Sequence, residues 1–85
     1  MDNIVFDILS SKSRRAALKY LFSLGGDATG RDLARHIGYS HQQALNALEQ
    51  LVSFGLVERR AFGPVYLFRI RATDLSGKIE ALLED

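Results

Sequence analysis

Hydrophobic residues recur at helical spacing along the first part of the chain. Ile4, Val5 and Ile8 begin a short amphipathic pattern, and we expect a leading helix that is either separate from the next helix or continuous with it. From Ser13 to Leu24 the apolar residues again lie three or four positions apart, until two glycines end the pattern. The spacing therefore predicts a second, longer helix.

Two capping-box sequences follow in the middle of the chain. Thr29-Gly30-Arg31-Asp32 offers a hydroxyl and a carboxylate to the free amides of a new helix, which Gly38 ends after about two turns. Ser40-His41-Gln42-Gln43 opens the next helix in the same way, and its apolar stripe continues to Gly55. These signals predict two helices joined by a sharp turn, the second over about residues 40–54.

The spacing of apolar residues changes from helical to alternating after Gly55. Two β-rich runs, 56–61 and 65–70, flank Phe62-Gly63-Pro64 and predict a hairpin. We expect Tyr66 and Phe68 to be buried in a strand face. Phe62 is expected to pack back on its own sheet, although it could also project as a wedge against a partner. Helical spacing returns over residues 72–85.

Helices followed by a hairpin in this order predict a winged helix-turn-helix. The fold class is mainly α with a small β-hairpin (α+β), with extra helical segments at both ends. Ala34, Gly38 and Ala44 support it, because small residues occur where the two helices of the motif approach each other. We assign residues 1–85 to a single domain, with its core at 11–71, a leading helix at 1–10 and a C-terminal helix at 72–85 that could begin a linker to a further domain.

Charge is nearly balanced in total but unevenly distributed along the chain. Eleven Lys and Arg against ten Asp and Glu leave a net charge of +1. Residues 1–10 carry −2 and residues 72–85 carry −3, whereas residues 11–71 hold ten basic and four acidic side chains. A basic middle of this kind favours an anionic partner such as nucleic acid.

Several stretches resemble a known superfamily. Arg31-Asp32-Leu33-Ala34 and the run from Ala44 through Leu48 and Leu51 to Gly55-Leu56-Val57-Glu58-Arg59 resemble the winged-helix regulators of the ArsR and MarR type. Within that superfamily, residues 29–35 and 55–60, Gly63-Pro64 and Tyr66 look most similar to the winged-helix domain found ahead of a minimal nucleotidyltransferase (DNA polymerase beta domain protein region). The resemblance implies a DNA-binding regulator, or a module that precedes a catalytic domain in a longer protein.

Double-stranded DNA is the partner that these features favour, with the 40–54 helix in the major groove and the 56–70 hairpin as the wing. Gln42, Gln43 and Asn46 lie outside the buried stripe, and their amides can pair with adenine. Basic side chains near helix starts and at the foot of the hairpin suit phosphates. The candidate DNA-binding residues are Arg31, Ser40, His41, Gln42, Gln43, Asn46, Arg59, Arg60, Lys12 and Arg14.

Other readings of the same residues stay open. The amides would look the same on a merely solvated helix face, and Gln43 can instead cap Ser40. The alternative function is a protein-interaction or regulatory module that docks on a partner or on a downstream nucleotidyltransferase domain. RNA binding would need exposed aromatic side chains for stacking.

A homodimer is expected because a chain this short would otherwise leave its terminal apolar stripes in water. The candidate dimerisation residues are Ile4, Val5, Ile8, Ile79, Leu82 and Leu83.

This sequence lacks the residue combinations that catalysis or metal binding would need. Cysteine is absent, as are a nucleophile with its base and a glycine-rich phosphate loop, so we predict no catalytic residues and no cofactor. His36 and His41 have no ligand-type companions, so no metal site is predicted. No signal-peptide pattern and no run of about 18 apolar residues occurs, and we expect a cytoplasmic protein that does not enter the membrane.

Overall fold

Five helices and one hairpin follow each other along residues 3–83, the part of the chain that the computed structural model describes. Met1, Asp2, Glu84 and Asp85, which belong to the predicted terminal segments, lie outside the described residues. The predicted class, mainly α with a small β-hairpin, is confirmed. The elements are α1 (Asn3–Leu9), α2 (Lys12–Leu24), α3 (Gly30–Ile37), α4 (His41–Ser53), β1 (Val57–Phe62), β2 (Val65–Ile70) and α5 (Asp74–Leu83).

Two serines, Ser10 and Ser11, separate the first two helices. The Ser11 hydroxyl accepts a hydrogen bond from the backbone N–H of Arg14 at 3.3 Å, and its extended backbone begins α2 as an N-cap. The leading helix is therefore a separate element rather than an extension of α2. At the other end, Gly25 adopts the left-handed φ of 69° and ends α2 as predicted.

Both predicted capping boxes are formed. The Thr29 hydroxyl accepts from the N–H of Asp32, whose carboxylate accepts from the N–H of Thr29, at 3.1 and 3.2 Å. Ser40 and Gln43 make the same reciprocal pair at 3.1 and 3.0 Å. Because these bonds involve residues three apart, the sequence alone predicts where α3 and α4 begin.

The hydrophobic core forms around α2, which contacts α1, α3, α4 and α5. Two of its members, Ile8 and Ile79, were expected at a dimer interface and are instead fully buried inside the protomer. Their helices are short and pack on α2, so each must bury a large side chain there. The largest fully buried side chains are Phe68, Ile8, Leu18, Leu21, Leu33, Leu48, Leu51, Leu56 and Ile79.

The hairpin has a two-residue turn, with Phe62 paired opposite Val65. Gly63 has a φ of 61°, and the ring of Pro64 holds the next φ negative, which is the sign pattern of a type II′ turn. Ala28 pairs with Phe68 on the open edge of β2 through hydrogen bonds of 2.9 and 2.8 Å. This bridge holds the hairpin against the segment before α3.

Two expectations for the hairpin are wrong. Phe62 does not pack back on its sheet but is 65% exposed, and Tyr66 is 50% exposed, whereas Phe68 is buried as predicted. Alternation of apolar residues shows which strand positions share a face, but not how far along the strand the core extends. The helices cover the base of the hairpin and leave its outer half in solvent.

Candidate nucleic-acid interface

A groove of about 330 Å³ lies where the starts of α3 and α4 meet the outer half of β2. It brings Arg31 and His41, two of the predicted DNA-binding residues, to one surface. Its lining residues are Thr29, Gly30 and Arg31 from the start of α3, His41 and Leu45 from α4, and Pro64, Val65, Tyr66 and Phe68 from the hairpin.

The close approach of α3 to α4 depends on Gly30. A Cβ atom built at this buried position would lie 2.8 Å from Leu45 Cδ2 and 3.3 Å from His41 Nε2. The sequence predicted Ala34 as the position of close approach and missed Gly30. The sequence did contain a signal for Gly30. The capping box does not require glycine at the first helical position, so another constraint had to explain it.

The first half of α4 presents polar side chains to solvent on the side opposite its buried stripe. Gln42, Gln43 and Asn46 are exposed, whereas Ala44 and Leu48 are buried. Gln42 Nε2 donates a hydrogen bond of 2.9 Å to Asn46 Oδ1. The pair therefore still has the carbonyl oxygen and the second N–H of Gln42, and the NH₂ group of Asn46, for contacts outside the protein.

Ser40 and Gln43 have a structural use that competes with DNA contact. The Ser40 hydroxyl accepts from the N–H of Gln43, and Gln43 Oε1 accepts from the N–H of Ser40. Only the Gln43 amide NH₂ is left for another partner. Gln42 and Asn46 are thus the better base-reading candidates.

The predicted phosphate contacts divide into two groups. Arg31 and Lys12 are exposed and take part in none of the ion pairs among the described residues. Arg59 instead pairs with Glu49 at 2.9 Å, and Arg60 pairs with Asp27 at 3.0 Å. Both pairs are partly exposed, so a phosphate that contacts either arginine has to compete with its carboxylate.

Arg14 makes contacts within the protein that compete with the predicted phosphate contact. Its guanidinium donates to the carbonyl oxygens of Asp7 and Ile8 at the end of α1, and to Gln50 Oε1 at 2.6 Å. It also lies 5.6 Å from the centre of the Phe54 ring. Sequence position alone could not reveal this, because its partners belong to two other elements.

The two histidines have no metal-site environment in the described part of the chain. No group of three or more His, Cys, Asp or Glu side chains comes together there. His36 stacks on Tyr20 with the ring centres 4.5 Å apart, and His41 lines the groove.

Between residues 3 and 83, no helix combines the length and the apolar character needed to span a bilayer.

No protein-family model and no curated protein matches this sequence, but solved structures do. The homodimeric winged helix-turn-helix DNA-binding domain of Mb0332 from Mycobacterium bovis is 29% identical, with a TM-score of 0.75 over 94% of this chain and 71% of that one. The fold is a winged helix. In it, α3 and α4 form the helix-turn-helix and the β1–β2 hairpin is the wing.

Two further neighbours share this winged helix. The antimony-specific transcriptional repressor AntR has a TM-score of 0.79 at 23% identity, over 95% of this chain and 68% of its own. An ArsR family transcriptional regulator has a TM-score of 0.70 at 25% identity, over 96% and 81%. The structural neighbours are thus winged-helix transcriptional regulators.

Proposed function

We propose that this winged helix binds double-stranded DNA as a homodimer and regulates transcription. The observation that carries the proposal is the exposed Gln42–Asn46 amide pair on the first turns of α4, next to the groove that holds Arg31 and His41. The first turns of a recognition helix are the part that reaches base edges in the major groove. The likeness to the homodimeric DNA-binding domain of Mb0332 supports the same use.

The donors and acceptors of α4 favour adenine. An adenine presents an N6 donor and an N7 acceptor in the major groove, and the amide pair offers the complementary acceptor and donor. Arg31, in the first turn of α3, joins its positive charge to the free amides of that helix and suits a phosphate. Base reading and phosphate contact are therefore assigned to different helices of the motif.

The apolar side chains of the terminal helices support the homodimer. Ile4 and Phe6 on α1 and Leu82 on α5 are 42%, 73% and 50% exposed. Val5 and Leu83, on the same two helices, are half-buried against the core. A second copy of the chain would remove these side chains from water, which makes Phe6 an addition to the predicted interface and excludes Ile8 and Ile79 from it.

A fluorescence-anisotropy titration tests the DNA-binding proposal. A labelled random-sequence duplex is titrated at ~50 and ~200 mM salt, and selection from a random library then identifies the preferred site. We expect salt-dependent binding that sharpens onto a two-fold symmetric, A·T-containing site, with a dimer in sedimentation equilibrium. A folded dimer that binds no duplex would contradict the proposal.

One observation favours the alternative, a protein-docking module. The ion pairs of Arg59 and Arg60 neutralise part of the charge that DNA would use. Docking on a downstream nucleotidyltransferase domain, as the sequence resemblance implies, is the specific form of this alternative. Chemical-shift mapping with a separately expressed nucleotidyltransferase domain distinguishes it, because docking moves wing resonances without any duplex present.

A further inference from the structure

The end of α1 is held by two arginines of the next helix. The Arg14 guanidinium donates to the carbonyl oxygens of Asp7 and Ile8, with 3.3 Å between Nε and the Ile8 oxygen. The Arg15 guanidinium donates to the carbonyl oxygen of Leu9. The last carbonyls of a helix have no partner within it, and a positive charge beside them is favourable. Because α1 has no basic residue in its own last turn, α2 supplies this charge.

Arg14 differs from Arg15 in also contacting α4. Its Nη1 donates to Gln50 Oε1 at 2.6 Å, and its guanidinium lies 5.6 Å from the centre of the Phe54 ring, at the C-cap of α4. Within residues 3–83, no hydrogen bond joins the side chain of Arg15 to α4. A single guanidinium therefore connects the end of α1 to the second half of α4.

The position of α1 depends on contacts with other elements. It has seven residues, whereas an isolated helix shorter than about 12–15 residues is at most marginally stable in water. Over residues 4–9, Ile8 is the one fully buried side chain. A short helix with one buried anchor can detach while the rest of the protein stays folded, so α1 has a docked and a detached state.

We propose that Arg14 couples the docking of α1 to the position of α4 and is thus a positioning residue for that helix. When α1 detaches, Arg14 loses its two carbonyl partners, and the guanidinium that contacts Gln50 and Phe54 is no longer held in place. When the contact with α4 is lost, α1 in turn loses part of what holds its end. The coupling is therefore reciprocal.

The coupling connects the two surfaces of the proposed function. Ile4 and Phe6 are exposed on α1, where the second copy is proposed to bind, and the Gln42–Asn46 pair lies on α4. A second copy that binds docked α1 favours the arrangement in which Arg14 holds α4. A duplex that binds this arrangement favours docked α1 by the same factor. This consequence rests on the proposed function, whereas the coupling itself can be measured without DNA.

Native-state hydrogen exchange of the backbone amides, followed by NMR without DNA, tests the coupling. We expect Gln50→Ala to speed exchange of the α1 amides about fivefold, because it leaves α1 intact but removes the acceptor on α4. Exchange of the core amides of α2 should stay as in the wild type, since the Gln50 side chain is exposed. Gln50→Glu keeps an acceptor for Arg14 and should retain the wild-type rate in α1.

Three further variants separate coupling from a general loss of stability. Glu49→Ala removes a neighbouring side chain that bonds to Arg59, and it should leave exchange in α1 unchanged. Arg15→Gln removes a bond to α1 alone, so it should speed exchange in α1 but not in the last turn of α4. Arg14→Gln should speed exchange in both helices.

A random-sequence duplex of about ten base pairs then tests the consequence for DNA binding, because one turn of DNA accommodates one recognition helix. In the wild type, saturating duplex should slow exchange of the α1 amides about fivefold relative to the free protein. In Gln50→Ala the duplex should still bind, because the base-reading candidates are unchanged, but it should not slow exchange in α1.

The outcomes separate this inference from the proposed function. Unchanged exchange in α1 of Gln50→Ala, or equal acceleration throughout α2, would overturn the coupling whether or not the protein binds DNA. A duplex that slows α1 equally in the wild type and in Gln50→Ala would show that DNA acts on α1 without Arg14. If the folded wild-type protein binds no duplex, the proposed function is wrong, and the exchange rates without DNA still decide the coupling.

Discussion

Gln42 and Asn46 form one reading unit at the residue scale. Their hydrogen bond uses one of the two N–H bonds of the Gln42 amide and fixes the two side chains relative to each other, so loss of either side chain should disturb the other. We expect Gln42→Ala and Asn46→Ala each to cost ~1–3 kcal/mol at one A·T pair, and the double variant to cost about as much as either. Competition anisotropy with duplexes that differ at that pair measures these losses. Fully additive losses would show that the two amides read separate bases.

We expect Arg14, a basic residue in a basic segment, to serve the fold and not DNA, because its guanidinium bonds to α1 and α4. Arg14→Gln removes the charged donor from the Ile8 carbonyl oxygen, in a part-buried bond, and from the Asp7 carbonyl oxygen, so the free energy of unfolding should fall by ~1–3 kcal/mol. The salt slope of DNA binding should not change. Lys12→Gln, at an exposed position, is the matched control and should do the reverse: stability within ~0.5 kcal/mol of the wild type, and a slope shallower by about 0.9.

Thermal denaturation and salt titration of the two variants give both quantities. A shallower slope in Arg14→Gln, with stability unchanged, would show that this guanidinium contacts phosphate after all.

At the scale of elements, the contact between α3 and α4 depends on a glycine at the start of α3. Gly30→Ala places a methyl group 2.8 Å from Leu45 Cδ2, so Leu45 and His41 must shift. We expect a net loss of stability of about 1 kcal/mol, because overpacking outweighs the gain in helix propensity. DNA affinity should fall as well, since His41 and the amide pair are on the displaced first turns of α4.

Gly77→Ala is the matched control for this glycine. Gly77 lies inside α5 with no atom within 4 Å of a built Cβ, so alanine should stabilise the protein by ~0.5–1 kcal/mol. Thermal melting of the two variants gives the comparison. A Gly30→Ala variant that gains as much stability as Gly77→Ala would show that the helices do not need the close approach.

The elements also show what could be predicted from the sequence. Thr29, Gly38 and Ser40 mark helix ends through bonds to residues at most four apart, and such local signals are readable without the fold. The partners of Arg14 lie on α1 and α4, and the exposure of Phe62 depends on where the helices stop covering the wing. These features arise from packing between distant segments, so periodicity cannot reveal them.

The same contrast holds in the candidate site: the exposed amides of α4 could be predicted from the sequence, whereas the ion pairs of the basic residues could not. The exposed amides follow from the buried stripe of a single helix, and the structure places them as the helical wheel predicts. Which cations are available depends on Asp27 and Glu49, which lie 33 and 10 residues from their arginines. A count of basic residues therefore overstates the charge that a phosphate backbone meets.

At the scale of the whole molecule, this distribution of charge sets the salt dependence of DNA binding. Five phosphate contacts per protomer would give a slope near −4 to −5. With Arg14 engaged in the fold and with Arg59 and Arg60 paired, only Arg31 and Lys12 of the predicted contacts remain. We expect a wild-type slope near −2 per protomer.

Removing the two carboxylates tests whether the ion pairs reduce the salt dependence of DNA binding. The double variant Asp27→Asn/Glu49→Gln releases Arg59 and Arg60 for phosphate, so its slope should reach about −4 per protomer and its binding to random duplex should tighten at low salt. Glu80→Gln, an acid on α5 that pairs with neither arginine, should leave the slope near −2. A wild-type slope already near −4, unchanged in the double variant, would mean that the arginines leave their carboxylates whenever DNA binds. In that case the pairs hold the wing in place only in the free protein.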